Sequence, residues 1–269
     1  IFKSAFAILI VSNTWNIVKM DKTAPLSLMQ KGDNSGLLTG LTTDKAKKVL
    51  AALDITNEVV DEAIAKGADV IISHHPVVYH PLYSLSEKNP ACRAMKHGIA
   101  CLCFHSPLDL ARGGINDIIF DMLKEPFGLF ASENYVEEVG GGFGYGLVCR
   151  LEKAVEPEKA AKMLKDIFKC TVVRFTRGGK PIEKLAFCSG GAGSMLPDVL
   201  RLGADAYITG DVKHDQMITA LNSGVTLFDC GHFHTENIVI PYLAKRFSED
   251  MPELPFEIAE CSADPCEYV

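Results

Sequence analysis

The chain is patterned as short, almost wholly apolar runs, each ending abruptly in polar residues. Val70-Ile71-Ile72 leads into Ser73-His74-His75-Pro76. A run of this length, followed by proline, reads as a strand buried on both faces. Residues 49–54, 98–104, 185–189, 206–209 and 224–230 read the same way. Between them apolar residues recur at helical spacing. Val59, Val60, Ala63 and Ile64 predict a helix over residues 57–66. Helices are also predicted over 116–124, 158–168 (after Pro157), 195–202 and 236–247.

The order of these elements contains a repeat. Residues 49–69 and 185–205 align without a gap, 136 positions apart, each as strand, helix and a Gly-Ala-Asp lead into a second strand. Residues 98–105 and 224–232 then match as strands that end in histidine. Strand–helix–strand units of this size imply parallel pairing with right-handed crossovers, so the chain reads as two related α/β halves. The middle departs from this. Residues 135–151 are glycine-rich strand and turn, 171–176 form a β-branched strand, and 177–181 a tight turn. Residues 255–259 of the acidic tail read as an added edge strand. The apolar opening, residues 1–11, reads as an ordinary buried element. As an export signal it has a thin charged flank and no small-residue cleavage site.

Composition narrows the classes. The 269 residues suit one large domain or two moderate ones. A hydrophobic share of 48% and a charged share of 23% are ordinary for a globular protein. The net charge of −7, with no basic patch, argues against a nucleic-acid binder that works by neutralising phosphates. No segment reaches the length of a membrane span. Nine cysteines occur, none as Cys-x-x-Cys and several inside predicted strands. They read as small buried hydrophobes in a reducing, cytoplasmic setting.

The candidate chemistry lies where the strands end. His74 and His75 would point to opposite faces if the strand ran through them, reaching two metals or one metal and a neighbour. Alone, such a pair is equally a hydrogen-bonded strand end. His105 and Asp109 share a face if a helical turn opens at Ser106-Pro107, although Asp109 could simply cap a helix. His232 and Glu236 repeat that spacing, with Thr235 as a cap of the following helix and His234 exposed or behind the site. Acidic helix starts are common for dipole reasons alone. Together, three such clusters at the ends of apolar strands point to a metal site. Imidazole and carboxylate without thiolate suit Zn, Fe, Mn, Co or Ni. A carboxylate can bridge two ions about 3.5–4 Å apart. Thr209-Gly210-Asp211-Val212-Lys213-His214 takes the place of Ser73-His74-His75 in the second repeat; Lys213 and His214 would hold an anion or open the next helix. The glycine-rich turn at residues 189–194 could cradle a phosphate but lacks the Walker lysine.

These motifs, with Asp33-Asn34-Ser35-Gly36-Leu37-Leu38-Thr39-Gly40 and Gly113-Gly114-Ile115-Asn116-Asp117, occur in one order. That order resembles the NIF-three-like family (NGG-one-interacting-factor-three-like), whose members are often labelled GTP cyclohydrolase 1 type 2 homologues. The resemblance runs from about residue 20 to residue 247. It implies two related α/β domains with mixed sheets, the first discontinuous (1–130 with 231–269), the second spanning 131–230. It also implies a dinuclear site in the interdomain cleft, holding two divalent transition metal ions on His74, His75, Asp109, His232 and Glu236. His105 matches a histidine beside that site and is the candidate catalytic residue, placed to orient or shuttle a proton. A homohexamer built as a trimer of dimers is implied too. Gly32-Asp33 stands where the family usually has Trp-Asp, and Pro107 where it usually has Asn; neither removes a ligand. The expected function is a metal-dependent hydrolase of a nucleotide or related heterocycle. A metal-delivery protein and a regulatory scaffold without turnover are the alternatives.

Overall fold

The computed structural model describes residues 24–40 and 46–269. The apolar opening at residues 1–11 lies outside the described residues. The chain is of mixed α/β class and divides into two compact units. One comprises the described residues up to Leu108 with Ile240–Ala263; the other comprises Asp109–Val239 with Asp264–Val269.

The first unit is built on a five-stranded sheet. Its order is Gly36–Thr39, Ala100–Cys103, Val70–Ser73, Val49–Ala52, Phe256–Ile258. All neighbours are parallel except the Gly36–Thr39 edge. Val49–Ala52 and Ala100–Cys103 are buried at every position, which is why they read as unbroken apolar runs rather than alternating ones. The helix Asn57–Lys66 follows its sequence signals. The Thr56 hydroxyl accepts the Val59 N–H at 3.3 Å, and Gly67 closes the far end at φ 66°. Val59, Val60 and Ala63 form its buried face against Leu50, Ile71 and Cys101. Asn89 and Pro90 open the helix Pro90–Lys96 in the same way. The tail strand at residues 256–258 pairs with Val49–Ala52, as an added edge.

The second unit carries a six-stranded mixed sheet. Its order is Leu129–Asn134, Leu147–Val155, Ile182–Phe187, Ala206–Thr209, Thr226–Asp229, Arg174–Phe175. Ile182–Phe187, Ala206–Thr209 and Thr226–Asp229 run parallel to one another. Around them stand Ile115–Phe127, Pro157–Phe168, Leu196–Arg201 and His214–Asn222, with a small ribbon of Glu137–Gly140 and Phe143–Tyr145.

The internal repeat is visible in hydrogen bonds. Asp69 accepts the Lys47 and Lys48 N–H groups, and Asp205 accepts those of Glu183 and Lys184, 136 positions later. Phe104 N–H donates to Ser73 O at 3.0 Å; Cys230 N–H donates to Thr209 O at 2.8 Å. The Gly-Ala-Asp lead needs its glycine in both copies, because Gly67 and Gly203 sit at φ 66° and 67°.

Two expected elements differ. The helix expected over 236–247 is two helices, His232–Glu236 and Val239–Asp250. Pro241 lies in the first turn of the second, the one helical position that loses no N–H bond, and so marks a new start. Thr235 therefore lies inside the short helix instead of capping the long one. Of the strand expected over 171–176, only Arg174 and Phe175 pair, because the partner's ladder ends at Asp229 opposite Arg174.

The segment after the tail strand is fixed by one carboxylate. Glu62 accepts the N–H groups of Glu260 (2.9 Å) and Cys261 (3.0 Å) and faces Lys66 Nζ at 2.7 Å. Burial would raise the Glu62 pKa. The Cys261 thiol, the Lys66 ammonium and the two backbone donors outweigh it and hold the carboxyl at about 2. A carboxyl depressed on folding stabilises above its unfolded pKa, near 4.5, and that contribution is lost as pH falls through about 2. Stability measured by urea unfolding should therefore fall between those values, by on the order of 2 kcal/mol from this group. Glu62→Gln should flatten that part of the profile; an unchanged slope would remove Glu62 from this role.

Candidate metal centre

In the first unit, three histidines meet just past the carboxyl ends of two neighbouring interior strands, Val70–Ser73 and Ala100–Cys103. The strand Val70–Ser73 stops at Ser73, whose hydroxyl donates to His75 O at 2.6 Å. His74 and His75 thus lie in a bend, and the alternation that would send them to opposite faces does not operate. Their ring centroids are 5.0 Å apart, and His105 lies 5.2 Å from His74 and 5.7 Å from His75. Each offers a ring nitrogen within 4.8 Å of the others.

What stands behind the rings decides which nitrogen is offered. His74 is fully buried, and its Nδ1 lies 3.0 Å from Phe104 O. A carbonyl only accepts, so Nδ1 carries the proton and Nε2 keeps its lone pair. His75 Nδ1 meets Asp54 Oδ1 at 2.8 Å, and His105 Nδ1 meets Asp33 Oδ1 at 2.9 Å. Asp33 also takes the Ser35 hydroxyl (2.8 Å) and the Ser106 N–H (3.2 Å). Burial alone would raise the Asp33 pKa, but the His105, Ser106 and Ser35 hydrogen bonds and the His105 charge hold it well below the usual carboxylate range. This is the arrangement of metal-ligating histidines, whose outer N–H is held by a carboxylate or carbonyl.

The second unit carries a separate group of one imidazole and several carboxylates. His232 and Glu236 sit one turn apart in the helix His232–Glu236, with His232 Nε2 at 2.9 Å from Glu236 Oε2. Behind the ring, His232 Nδ1 meets Asp211 Oδ2 at 2.8 Å. The ring thus stands between two carboxylates, a setting that attracts a cation. Asp211 adopts a left-handed backbone (φ 51°), uncommon for a residue other than glycine. Buried Asp229 holds that loop, accepting the Val212 N–H (3.2 Å) and the Gly231 N–H (3.1 Å) and pairing with Arg174. Asp109 lies in the helix Ser106–Leu110, where its carbonyl accepts Asn116 Nδ2 at 2.9 Å. Burial pushes the Cys188 thiol well up, and the negative charges of Asp109, Glu236 and Glu137 push it further.

The other candidates have structural partners. His234 Nε2 pairs with Asp264 at 3.2 Å. Lys213 and His214 open the helix His214–Asn222. In the glycine-rich turn, the Gly190 and Ala192 N–H groups are taken by the Thr235 and Thr209 hydroxyls. Asp54 and Asp211 were missed as functional residues. Both follow apolar strands, at the positions where histidines follow the others, and that placement was their only signal.

The donor set fits a divalent transition ion of Zn, Fe, Mn, Co or Ni type: imidazole and carboxylate, with outer nitrogens engaged and all nine cysteines free thiols. The family described as Duf34/NIF3 (NGG1p interacting factor 3) matches residues 14–265. The chain belongs to this family. A Streptococcus pneumoniae relative named GTP cyclohydrolase 1 type 2 homolog is 30% identical over 233 residues, covering 84% of this chain and 86% of its own. A Lactococcus lactis relative of the same name is 31% identical over 249 residues, covering 91% and 95%. The fold is that of the Staphylococcus aureus protein SA1388, with a TM-score of 0.83 at 24% identity over 94% of this chain and 97% of that one. In this DUF34/NIF3 chain Pro107 sits within the helix Ser106–Leu110.

Two outcomes follow for this DUF34/NIF3 chain. In long-range proton–nitrogen spectra of metal-free protein, neutral His74, His75 and His105 should be Nδ1-protonated; an Nε2–H signal for His74 would contradict the geometry. Gly190 lies at φ 62°, and a Cβ there would run into the Glu236 carboxylate and come within 3.3 Å of His232 Nε2. Gly190→Ala should cost about 2 kcal/mol in denaturant unfolding, and an unchanged midpoint would show that Glu236 is not held where described.

Proposed function

We propose that the protein binds two divalent transition metal ions and uses them to hydrolyse a nucleotide or related heterocycle. The observation that carries this reading is the set of three imidazoles, each with Nδ1 held and all offering nitrogens within 4.8 Å. Ligands are assigned as His74, His75, Asp109, His232 and Glu236; that all five serve one dinuclear site rests on the family resemblance. Bound divalent ions acidify water and withdraw charge from a carbonyl or phosphoryl oxygen. The chain's own residues do the rest. Asp54 and Asp211 orient His75 and His232. Asp33 holds the His105 ring, keeping its Nε2 free to accept or return a proton. The names of the bacterial relatives agree with the hydrolase class. The homohexamer and a reducing cytoplasm belong to the same proposal.

Elemental analysis tests it first. Wild-type protein should carry about two equivalents of transition metal per chain, and Glu236→Ala and His74→Ala should each lose metal. Nucleotide turnover that disappears with the metal completes the reading. Exchangeable metal without turnover on any nucleotide would replace it with metal delivery, and unfolding on metal removal would replace it with a structural ion. Sedimentation at the mass of a monomer or dimer would reject the hexamer.

A further inference from the structure

The wall of the histidine cluster continues into an aromatic side chain that the metal chemistry does not use. Tyr79 stands edge-on to His105, with ring centroids 5.8 Å apart and planes at 73°. Its side chain is 54% exposed. A single exposed tyrosine needs no explanation, but this one is held in place. Asn34 Nδ2 donates to Val78 O at 2.6 Å, next to Tyr79, and the adjacent Asp33 carboxylate holds His105 Nδ1 at 2.9 Å. One dipeptide therefore sets both partners of the ring contact. Beyond Tyr79 the loop is exposed at every residue to Lys88.

The chemistry of this wall is aromatic. His74, His75, His105 and Tyr79 are linked as successive ring neighbours at 5.0–5.8 Å. Tyr79 also meets the neighbouring His80 ring at 5.1 Å and 76°, and its 54% exposure leaves aromatic surface open beside the cluster. Aromatic faces recognise the plane of a base rather than its phosphates, and they do so with little preference between bases. We propose that Tyr79 is the specificity-determining residue that stacks the planar heterocycle of the substrate beside the histidine cluster. This rests on the metal-site reading and names the substrate class for it.

Saturation-transfer NMR on the full, metal-loaded chain tests this with guanosine, adenosine and ribose 5-phosphate as probes. The two nucleosides should give signals on their base protons, and ribose 5-phosphate should give none. Tyr79→Ala should weaken nucleoside binding about tenfold or more, and Tyr79→Phe should retain it. Metal content and thermal midpoint, read on the same samples, should not move in either variant. Nucleoside binding unchanged in Tyr79→Ala, or absent in the wild type, would overturn the proposal. So would a Tyr79→Ala variant whose sedimentation changes while its nucleoside binding does not, since Leu82, Tyr83 and Leu85 in the same exposed loop would then mark a surface for a second copy. Metal absent from the wild type with nucleoside binding intact would instead sink the metal reading and leave the stacking residue standing.

Discussion

Everything at the histidine cluster depends on the register of three parallel strands. Ala52 lies opposite Ser73, and Ser73 opposite Cys103. The strands therefore end level, and the next residues of each leave the sheet at the strands' carboxyl ends: Asp54, His74 with His75, and His105. Two backbone bonds carry the register just past the ends, His75 N–H to Leu53 O and Phe104 N–H to Ser73 O, both at 3.0 Å. A slip of one residue in either ladder would move one strand end past its neighbour and put Asp54, the His74–His75 bend and His105 out of line with one another. The apolar side chains of Leu50, Ile71 and Cys101, packed on the helix Asn57–Lys66, oppose such a slip. Burial of the core thus fixes the spacing of polar groups that contribute nothing to that core.

The two units show how one architecture serves two chemistries. Both use the same aspartate to tie off the strand–helix–strand turn, Asp69 and Asp205, and both carry a strand end bonded to its neighbour in the same way. At the exit of the second strand, the first unit places His74 and His75 where the second places Gly210 and Asp211. In the second unit the histidine and acid come one strand later, as His232 and Glu236 on a short helix. Gly210 is small because the His232 backbone packs directly against it. The repeat preserves the scaffold, while the ligand chemistry is distributed unequally over it.

Charge is placed with the same economy. Asp33, Asp54 and Asp211 each meet a ring nitrogen, which holds the three imidazoles in orientation. Asp211 does so from a left-handed backbone that costs about 1 kcal/mol, and buried Asp229 holds the loop that keeps it there. No helix among the described residues is long and apolar enough to cross a membrane.

Much of this was legible along the chain. Apolar runs marked Val70–Ser73 and Ala206–Thr209 to the residue, because a strand buried on both faces has no polar positions to blur it. Thr56, Gly67 and Pro157 marked helix ends, because caps act on neighbours a few residues away. The repeat and the histidines at strand ends followed from order alone. Tertiary structure decided what those histidines do. His74 and His75 converge because the strand stops at Ser73, which no period reveals. The carboxylates behind His75 and His105 come from 21 and 72 positions earlier in the chain. Hydrophobic periodicity tells a residue which face to take, but only sheet register and closed loops determine which distant residue it meets there.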